Sequence, residues 1–168
     1  MSSIVLRTPR LTLRHLDEAD APFILELLND PGWLRFIGNK SVHSEEGALA
    51  YIAKTQRMYA QNGFCLWAVE RREDGAALGL CGLIKRDTLR DVDLGFGFLT
   101  RHIGQGYGYE SAAAVLEHGR GALGLSRIVA IASPDNVASS GLLEKLGFTF
   151  ERDIEWAPGD PVRLYAVT

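Results

Sequence analysis

The feature that most constrains this chain is the run Gly104-Gln105-Gly106-Tyr107-Gly108, set between a predicted strand over 92–99 and an alanine-rich segment over 110–116. Glycines let successive backbone N–H groups converge with no Cβ in the way. A helix N-terminus adds unpaired donors and a partial positive charge, so a strand, a glycine turn and a helix in that order form a cradle for a pyrophosphate. Two familiar phosphate motifs do not fit: G-x-G-x-x-G would need glycine where Tyr109 stands, and no Gly-Lys-Ser/Thr occurs in the chain.

The remaining periodicities describe a layered α/β chain. Residues 11–16 alternate apolar and polar (Leu-Thr-Leu-Arg-His-Leu), the period of a half-buried strand. Asp17 caps a helix through Ala21, Ile24, Leu25 and Leu28, which Asn29-Asp30-Pro31-Gly32 stops. Ser44 caps a second helix with Glu45 and Glu46 in its first turn and Leu49, Ile52, Gln56 and Tyr59 along one face. Strands follow over 64–70 and 78–85, joined by the charged turn Arg71 to Gly75, and then over 92–99. The alanine-rich helix is expected to stop near Gly124, before a buried strand over 127–132 and a short helix capped by Pro134-Asp135-Asn136 that ends at Gly147. Strands near 148–152 and 163–167 complete the order. With 168 residues, 46% of them apolar, and no repeat or linker, one domain over 1–168 is expected.

Charge and composition narrow the function classes. The net charge is −3 and the 18 basic residues are dispersed, so nucleic-acid binding has no electrostatic support. No stretch approaches the roughly 18 apolar residues of a membrane span, and MSSIVLRTPR lacks a signal-peptide core, so a cytoplasmic protein off the membrane is expected. Cys65 and Cys81 have no metal-ligand spacing and no nearby histidine, so no metal site is expected. Across a hairpin turning near Asp74-Gly75 the two cysteines either bridge or stay reduced and buried, as suits a reducing compartment.

Arg101-x-x-Gly104-x-Gly106 matches the pattern R/Q-x-x-G-x-G, and downstream, after the next predicted strand, comes Asn136-x-x-Ser139-x-x-Leu142-Leu143-Glu144-Lys145-Leu146-Gly147-Phe148. Both, in this order, resemble the acetyl-coenzyme A signatures of the GNAT superfamily of N-acetyltransferases. The opening Thr8-Pro9-Arg10-Leu11-Thr12-Leu13-Arg14 resembles the T-x-R-L-x-L-R start of its branch that acetylates ribosomal-protein N-termini (alanine or serine), which extends the resemblance over nearly the whole chain. It implies the GNAT fold: a central mixed, mostly antiparallel sheet with a splayed parallel pair, flanked by about four helices.

The resemblance also implies roles. The parallel pair would be 92–99 and 127–132, with backbone groups at Phe98 and Leu99 on the pantetheine arm of acetyl-CoA. The segment Arg101, Ile103, Gly104, Gln105, Gly106, Tyr107 and Gly108 would take the pyrophosphate, and Asn136 would bond to the cofactor arm. Acetyl transfer to an amine asks for a neutral nucleophile and a proton for the departing thiolate. Many members use a tyrosine as that acid, at the position of Leu143 here, which cannot donate a proton; the branch with the T-x-R-L-x-L-R opening implies Ser139 instead. Asp93 stands where relatives carry a glutamate, as a base or as an anchor for the substrate ammonium. His15, His43, His102 and His118 have no identifiable partner, and only His102 lies near the cofactor turn.

For the acceptor side the resemblance points to the first two helices and their connection, with Trp33, Phe36, Tyr51, Tyr59 and Trp67 as aromatic candidates. Trp33 and Phe36 amid polar residues in the 31–43 link suggest a substrate-facing loop. The expectation is an acyltransferase acting through a ternary complex on a primary amine, a protein N-terminus ahead of a small molecule such as a polyamine or antibiotic. A noncatalytic acyl-CoA sensor is the other class, and a homodimer is consistent with the resemblance.

Overall fold

A computed structural model describes residues 3–168. Met1 and Ser2, at the start of the stretch searched above for a targeting signal, lie outside the described residues. Eight strands form one sheet in the order β1-β2-β3-β4-β5-β6-β8-β7. They are β1 (Ile4–Arg7), β2 (Leu11–Arg14), β3 (Leu66–Arg71), β4 (Ala77–Ile84), β5 (Asp93–Phe98), β6 (Ile128–Ala132), β7 (Thr149–Ala157) and β8 (Asp160–Val167). Neighbours are antiparallel except β5 and β6. The helices are α1 (Ala21–Leu28), α2 (Pro31–Phe36), α3 (Glu45–Asn62), α4 (Tyr107–Arg120) and α5 (Val137–Lys145). The mixed, mostly antiparallel sheet with one parallel pair is as expected, with five helices rather than about four.

Two cores lie on opposite faces of this sheet. Leu80 and Ala68 point to the face where Ile24, Leu27, Leu28, Trp33 and Ile52 of α1, α2 and α3 pack. Trp67, Cys81, Leu83 and Leu94 point to the other, against Ala112, Val115 and Leu116 of α4 and Leu143 of α5. β4 is covered on both sides, which explains its almost continuous apolar sequence. β6, β8 and β7 carry a smaller cluster, Val129, Leu164 and Ala166, on the α1–α3 face under Leu89 of the β4–β5 loop.

The structure departs from the sequence expectations in several places. The 31–43 link is not simply a loop: Asp30 accepts a hydrogen bond from the Gly32 amide at 3.0 Å and Pro31 occupies the first turn, so the segment that stops α1 starts α2. Trp33 on that helix is buried. The alanine-rich helix ends at Arg120, with Gly121 as its cap, short of Gly124. The last hairpin is longer than 148–152 and 163–167; β7 is an edge strand, exposed over most of its length and interrupted by register shifts, so no clean alternation marks it. The cysteines do not pair: Cys81 lies opposite Trp67, the Leu83 amide bonds to the Cys65 carbonyl, and both thiols are free and buried.

Among the described residues no helix is long and apolar enough to cross a membrane, and no group of three His, Cys, Asp or Glu side chains is placed to hold a metal ion.

Candidate active site

β5 and β6 meet at Asp93 and Val129, where the Val129 amide donates to the Val92 carbonyl at 3.0 Å. Beyond that point no ladder joins them among the described residues, while β5 stays paired with β4 as far as Phe98 and Gly79. The edges of Leu94–Phe98 and Ala130–Ala132 that face each other therefore offer backbone donors and acceptors to an extended ligand. The splay opens toward the chain that follows β5, a short 3-10 turn over Thr100–His102 and then the glycine turn.

Gly104 and Gly106 both have φ of +84°, a left-handed conformation that turns the chain sharply into α4. No side chain caps α4, whereas Ser44 caps α3 and Asn136 caps α5. The first bond of the α4 ladder runs from the Glu110 amide to the Gly106 carbonyl, so the amides of Tyr107, Gly108 and Tyr109 precede the ladder. These donors and the helix dipole fit a diphosphate. A Cβ on Gly108 would stand 3.1 Å from Leu142 Cδ1 and 3.8 Å from Phe98 Cε1, so this small residue lets α4, α5 and the end of β5 converge at the mouth of the splay.

The flanking motif residues divide between side-chain and backbone positions. Asn136 Oδ1 accepts from the Ser139 amide at 3.2 Å and starts α5, leaving its Nδ2 group as a donor. Ser139 is partly buried and shares a helix face with Leu142, the residue against Gly108, and with Leu143, which is buried in the core. Arg101 directs its guanidinium away from the glycine turn to Glu26 of α1, at 2.5 Å. Leu99 is buried and its amide bonds to the Leu78 carbonyl. Ile103 is exposed, and Tyr107 is buried beneath the turn. His102 is partly desolvated and near the charge of Arg101, both of which lower its pKa.

Asp93 sits where the strands part, 1% exposed, and by strand alternation faces the α1–α3 side together with Gly95 and Gly97. Ser139 belongs to α5, on the other face. Burial raises the Asp93 pKa, opposed by Arg86, whose Nε lies 3.2 and 3.4 Å from the carboxylate oxygens. Arg86 also lies 5.3 Å from the centre of the Trp156 ring. Burial followed by the charges of Arg86 and Lys54 lowers the pKa of Lys40, while burial pushes Tyr51 up to about 12 against the opposing charge of Arg86. Asp93 is thus a buried carboxylate paired with Arg86 and within reach of the charge of Lys85.

α2 roofs the splay on that side. A Cβ on Gly97 would lie 2.5 Å from Trp33 and 2.7 Å from Ile37, the Phe36 carbonyl accepts from Ser133 Oγ at 3.4 Å, and Arg35 pairs with Asp135 at 3.8 Å. The helix thus reaches from β5 to the segment after β6. Tyr59 packs on His15 at the surface, and the buried Trp67 packs on His118. Sequence reasoning missed α2, for which Asp30-Pro31 was the available signal. It also missed Arg86, which no motif marks, and the contacts of Arg10 and Glu110.

A model of the family described as "Acetyltransferase (GNAT) domain" matches residues 10–149. The chain is 32% identical to the uncharacterized N-acetyltransferase YoaA of Bacillus subtilis over 88% of this chain and 84% of that protein. An acetyltransferase from Agrobacterium tumefaciens superposes with a TM-score of 0.84 at 24% identity, covering 99% of this chain and 94% of that one. RimL, a ribosomal-protein alpha-N acetyltransferase in complex with coenzyme A, superposes with a TM-score of 0.84 at 22% identity, covering 98% and 97%. The chain belongs to the GNAT acetyltransferase family and is an acyltransferase.

Proposed function

We propose that this protein is an acetyl-coenzyme A-dependent N-acetyltransferase that moves acetyl directly onto a primary amine, with a protein N-terminal α-amine as acceptor. The observation that carries the reading is the parting of β5 and β6 immediately before the uncapped N-terminus of α4. Bound acetyl-CoA supplies an activated thioester carbonyl. The free edge of β5, through Phe98, holds the pantetheine arm, with Leu99, whose amide and carbonyl are already bonded, fixing the end of that edge; the amides from Gly104 to Gly108 take the diphosphate, and the Asn136 amide group donates to the arm.

Asp93 and Ser139 lie on elements that flank opposite faces of the splay, which separates their tasks. Asp93, whose raised pKa makes it a stronger base than an exposed aspartate, draws a proton from the incoming ammonium through one bridging water. Ser139 donates a hydrogen bond toward the departing sulfur, in place of the proton donor that Leu143 cannot be. Trp33 and Phe36 on α2 wall the amine's approach.

The acceptor follows from charge and basicity. An α-amine has a pKa near 8, about two units below a lysine, so one buried aspartate suffices to neutralise it. Arg86, Lys40 and Lys54 repel polycations such as polyamines and aminoglycosides. The neighbouring RimL acts on a protein α-amine, in agreement with this choice.

The test is thiol release from acetyl-CoA with N-terminal peptides, polyamines and aminoglycosides, beside calorimetric binding of coenzyme A. Release that requires a peptide amine is expected. Binding without turnover across the panel would favour a sensor, turnover with polycations alone would move the acceptor class, and no binding would remove the reading.

A further inference from the structure

The opening Thr8-Pro9-Arg10 segment is docked on the glycine turn. Thr8 Oγ1 donates to Glu110 Oε2 at 2.5 Å, the Arg10 amide donates to the same oxygen at 2.9 Å, and Arg10 Nε donates to Oε1 at 2.7 Å. Arg10 Nη1 donates to the Gln105 carbonyl at 3.0 Å. Its guanidinium lies 4.5 Å from the centre of the Tyr107 ring, and a Cβ on Gly106 would stand 3.1 Å from Nη2. Thr8 is itself held by a closed turn, its hydroxyl accepting from the Leu11 amide at 3.0 Å and its amide donating to the Leu11 carbonyl at 2.9 Å. One side chain from before β2 therefore touches residues 105, 106, 107 and 110.

Two consequences bear on an anion at this turn. A trans peptide plane points its C=O and the next N–H in opposite directions. Arg10 draws the Gln105 carbonyl toward itself, so the Gly106 N–H points away from Arg10. Glu110 is on the first turn of α4, where an unpaired carboxylate competes with a bound anion for the positive end of the helix. Both of its oxygens are taken by Thr8 and Arg10. Burial would raise the Glu110 pKa, but these hydrogen bonds and the charge of Arg10 outweigh it and hold the carboxyl below its ordinary value, so Glu110 is ionised and neutralised locally. Gly106 is glycine on two counts, its left-handed φ and the guanidinium lying against it.

We propose that Arg10, anchored with Thr8, is a positioning residue for a diphosphate-bearing acyl donor: it aims the Gly106 amide and cancels the Glu110 charge at the α4 N-terminus. This rests on the reading of the site given above and adds to it residues that lie outside the acetyl-CoA signatures.

The test is calorimetric titration with coenzyme A and with pantetheine, which has no diphosphate, for the wild type, Arg10→Ala, Arg10→Lys and the double variant Arg10→Ala with Glu110→Gln. Thermal unfolding of each confirms a folded state. Arg10→Ala is expected to weaken coenzyme A binding by about tenfold to a hundredfold and pantetheine binding by less than about twofold. Arg10→Lys, which keeps the charge but not the forked contact, falls between wild type and Arg10→Ala. The double variant, relieved of the unpaired carboxylate, binds coenzyme A more tightly than Arg10→Ala alone, a rescue that a purely structural role would not produce. Unchanged coenzyme A affinity in Arg10→Ala, equal weakening for both ligands, or no rescue overturns the positioning role while leaving the site reading intact. A wild type that binds coenzyme A no better than pantetheine, or binds neither, overturns the reading of the turn and this inference with it.

Discussion

Gly97→Ala probes the contact between β5 and the helix that roofs the splay. The new methyl would lie 2.5 Å from Trp33 Cζ3 and 2.7 Å from both Trp33 Cε3 and Ile37 Cδ1. Carbon atoms rest about 3.5–4.0 Å apart, so the indole and the isoleucine must retreat by about 1 Å. Trp33 is 4% exposed and rigid, and its helix has only six residues, so α2 shifts as a unit rather than one side chain turning aside. Overpacking of this kind costs about 1–3 kcal/mol, which for a chain of this size lowers Tm by roughly 2–12 °C. On the proposal that α2 walls the amine side, the KM for acceptor should rise more than that for acetyl-CoA. Calorimetric melting and steady-state kinetics read both effects, and adding Trp33→Leu, which frees space for the methyl, restores part of the lost Tm. An unchanged Tm together with an unchanged acceptor KM would refute the close packing of α2 on Gly97.

Asp93→Asn should lower kcat by about a hundredfold or more if the carboxylate accepts the amine proton. Its pKa is raised on folding, so its stabilising contribution is present below the unfolded pKa and is lost as pH rises through the folded value. The variant's Tm relative to wild type should therefore be higher at pH 7 than at pH 3, and a relative Tm that falls from pH 3 to pH 7 contradicts the assigned burial cost. Arg14 binds both oxygens of the buried Asp20 at 2.8 Å and Glu70 at 2.9 Å; Arg14→Ala strands the Asp20 charge and should cost about 3–5 kcal/mol in urea unfolding, with a loss under about 1 kcal/mol contradicting this. Burial pushes the thiols of Cys65 and Cys81 up to about 12, so native protein at pH 8 should resist iodoacetamide and react only when unfolded; labelling of the native state would place a thiol at the surface.

The sequence was most readable where local chemistry and tertiary role coincide. Ser44 and Asn136 cap helices α3 and α5, and the glycine turn opens α4, because cap and turn preferences act within a few residues. α2 escaped because Asp30-Pro31 is both a stop for one helix and a start for the next, and a six-residue helix has too little periodicity to announce itself. β1 escaped because Ile4-Val5-Leu6-Arg7 shows no apolar–polar alternation and none of its four residues is buried. At the proposed site, the motifs drew attention to Gly104, Gly106, Asn136 and Ser139, but not to the Arg101 guanidinium turning to Glu26 while Arg10 contacts the turn. These exchanges depend on contacts such as Arg10 to Glu110, 100 residues apart in sequence, which no local pattern encodes. The pairing of Arg86 with Asp93 likewise follows from Ile84 standing opposite Asp93, which brings the start of the β4–β5 loop beside that carboxylate.

Amide hydrogen exchange with and without coenzyme A tests most directly whether the donor lies in the parting of β5 and β6. Slower exchange is expected, confined to Leu94–Leu99, residues 103–109 and Ala130–Ala132, with no change in β1, β2 or β7. Tight binding that leaves those amides unprotected, or that protects a different surface, would contradict it.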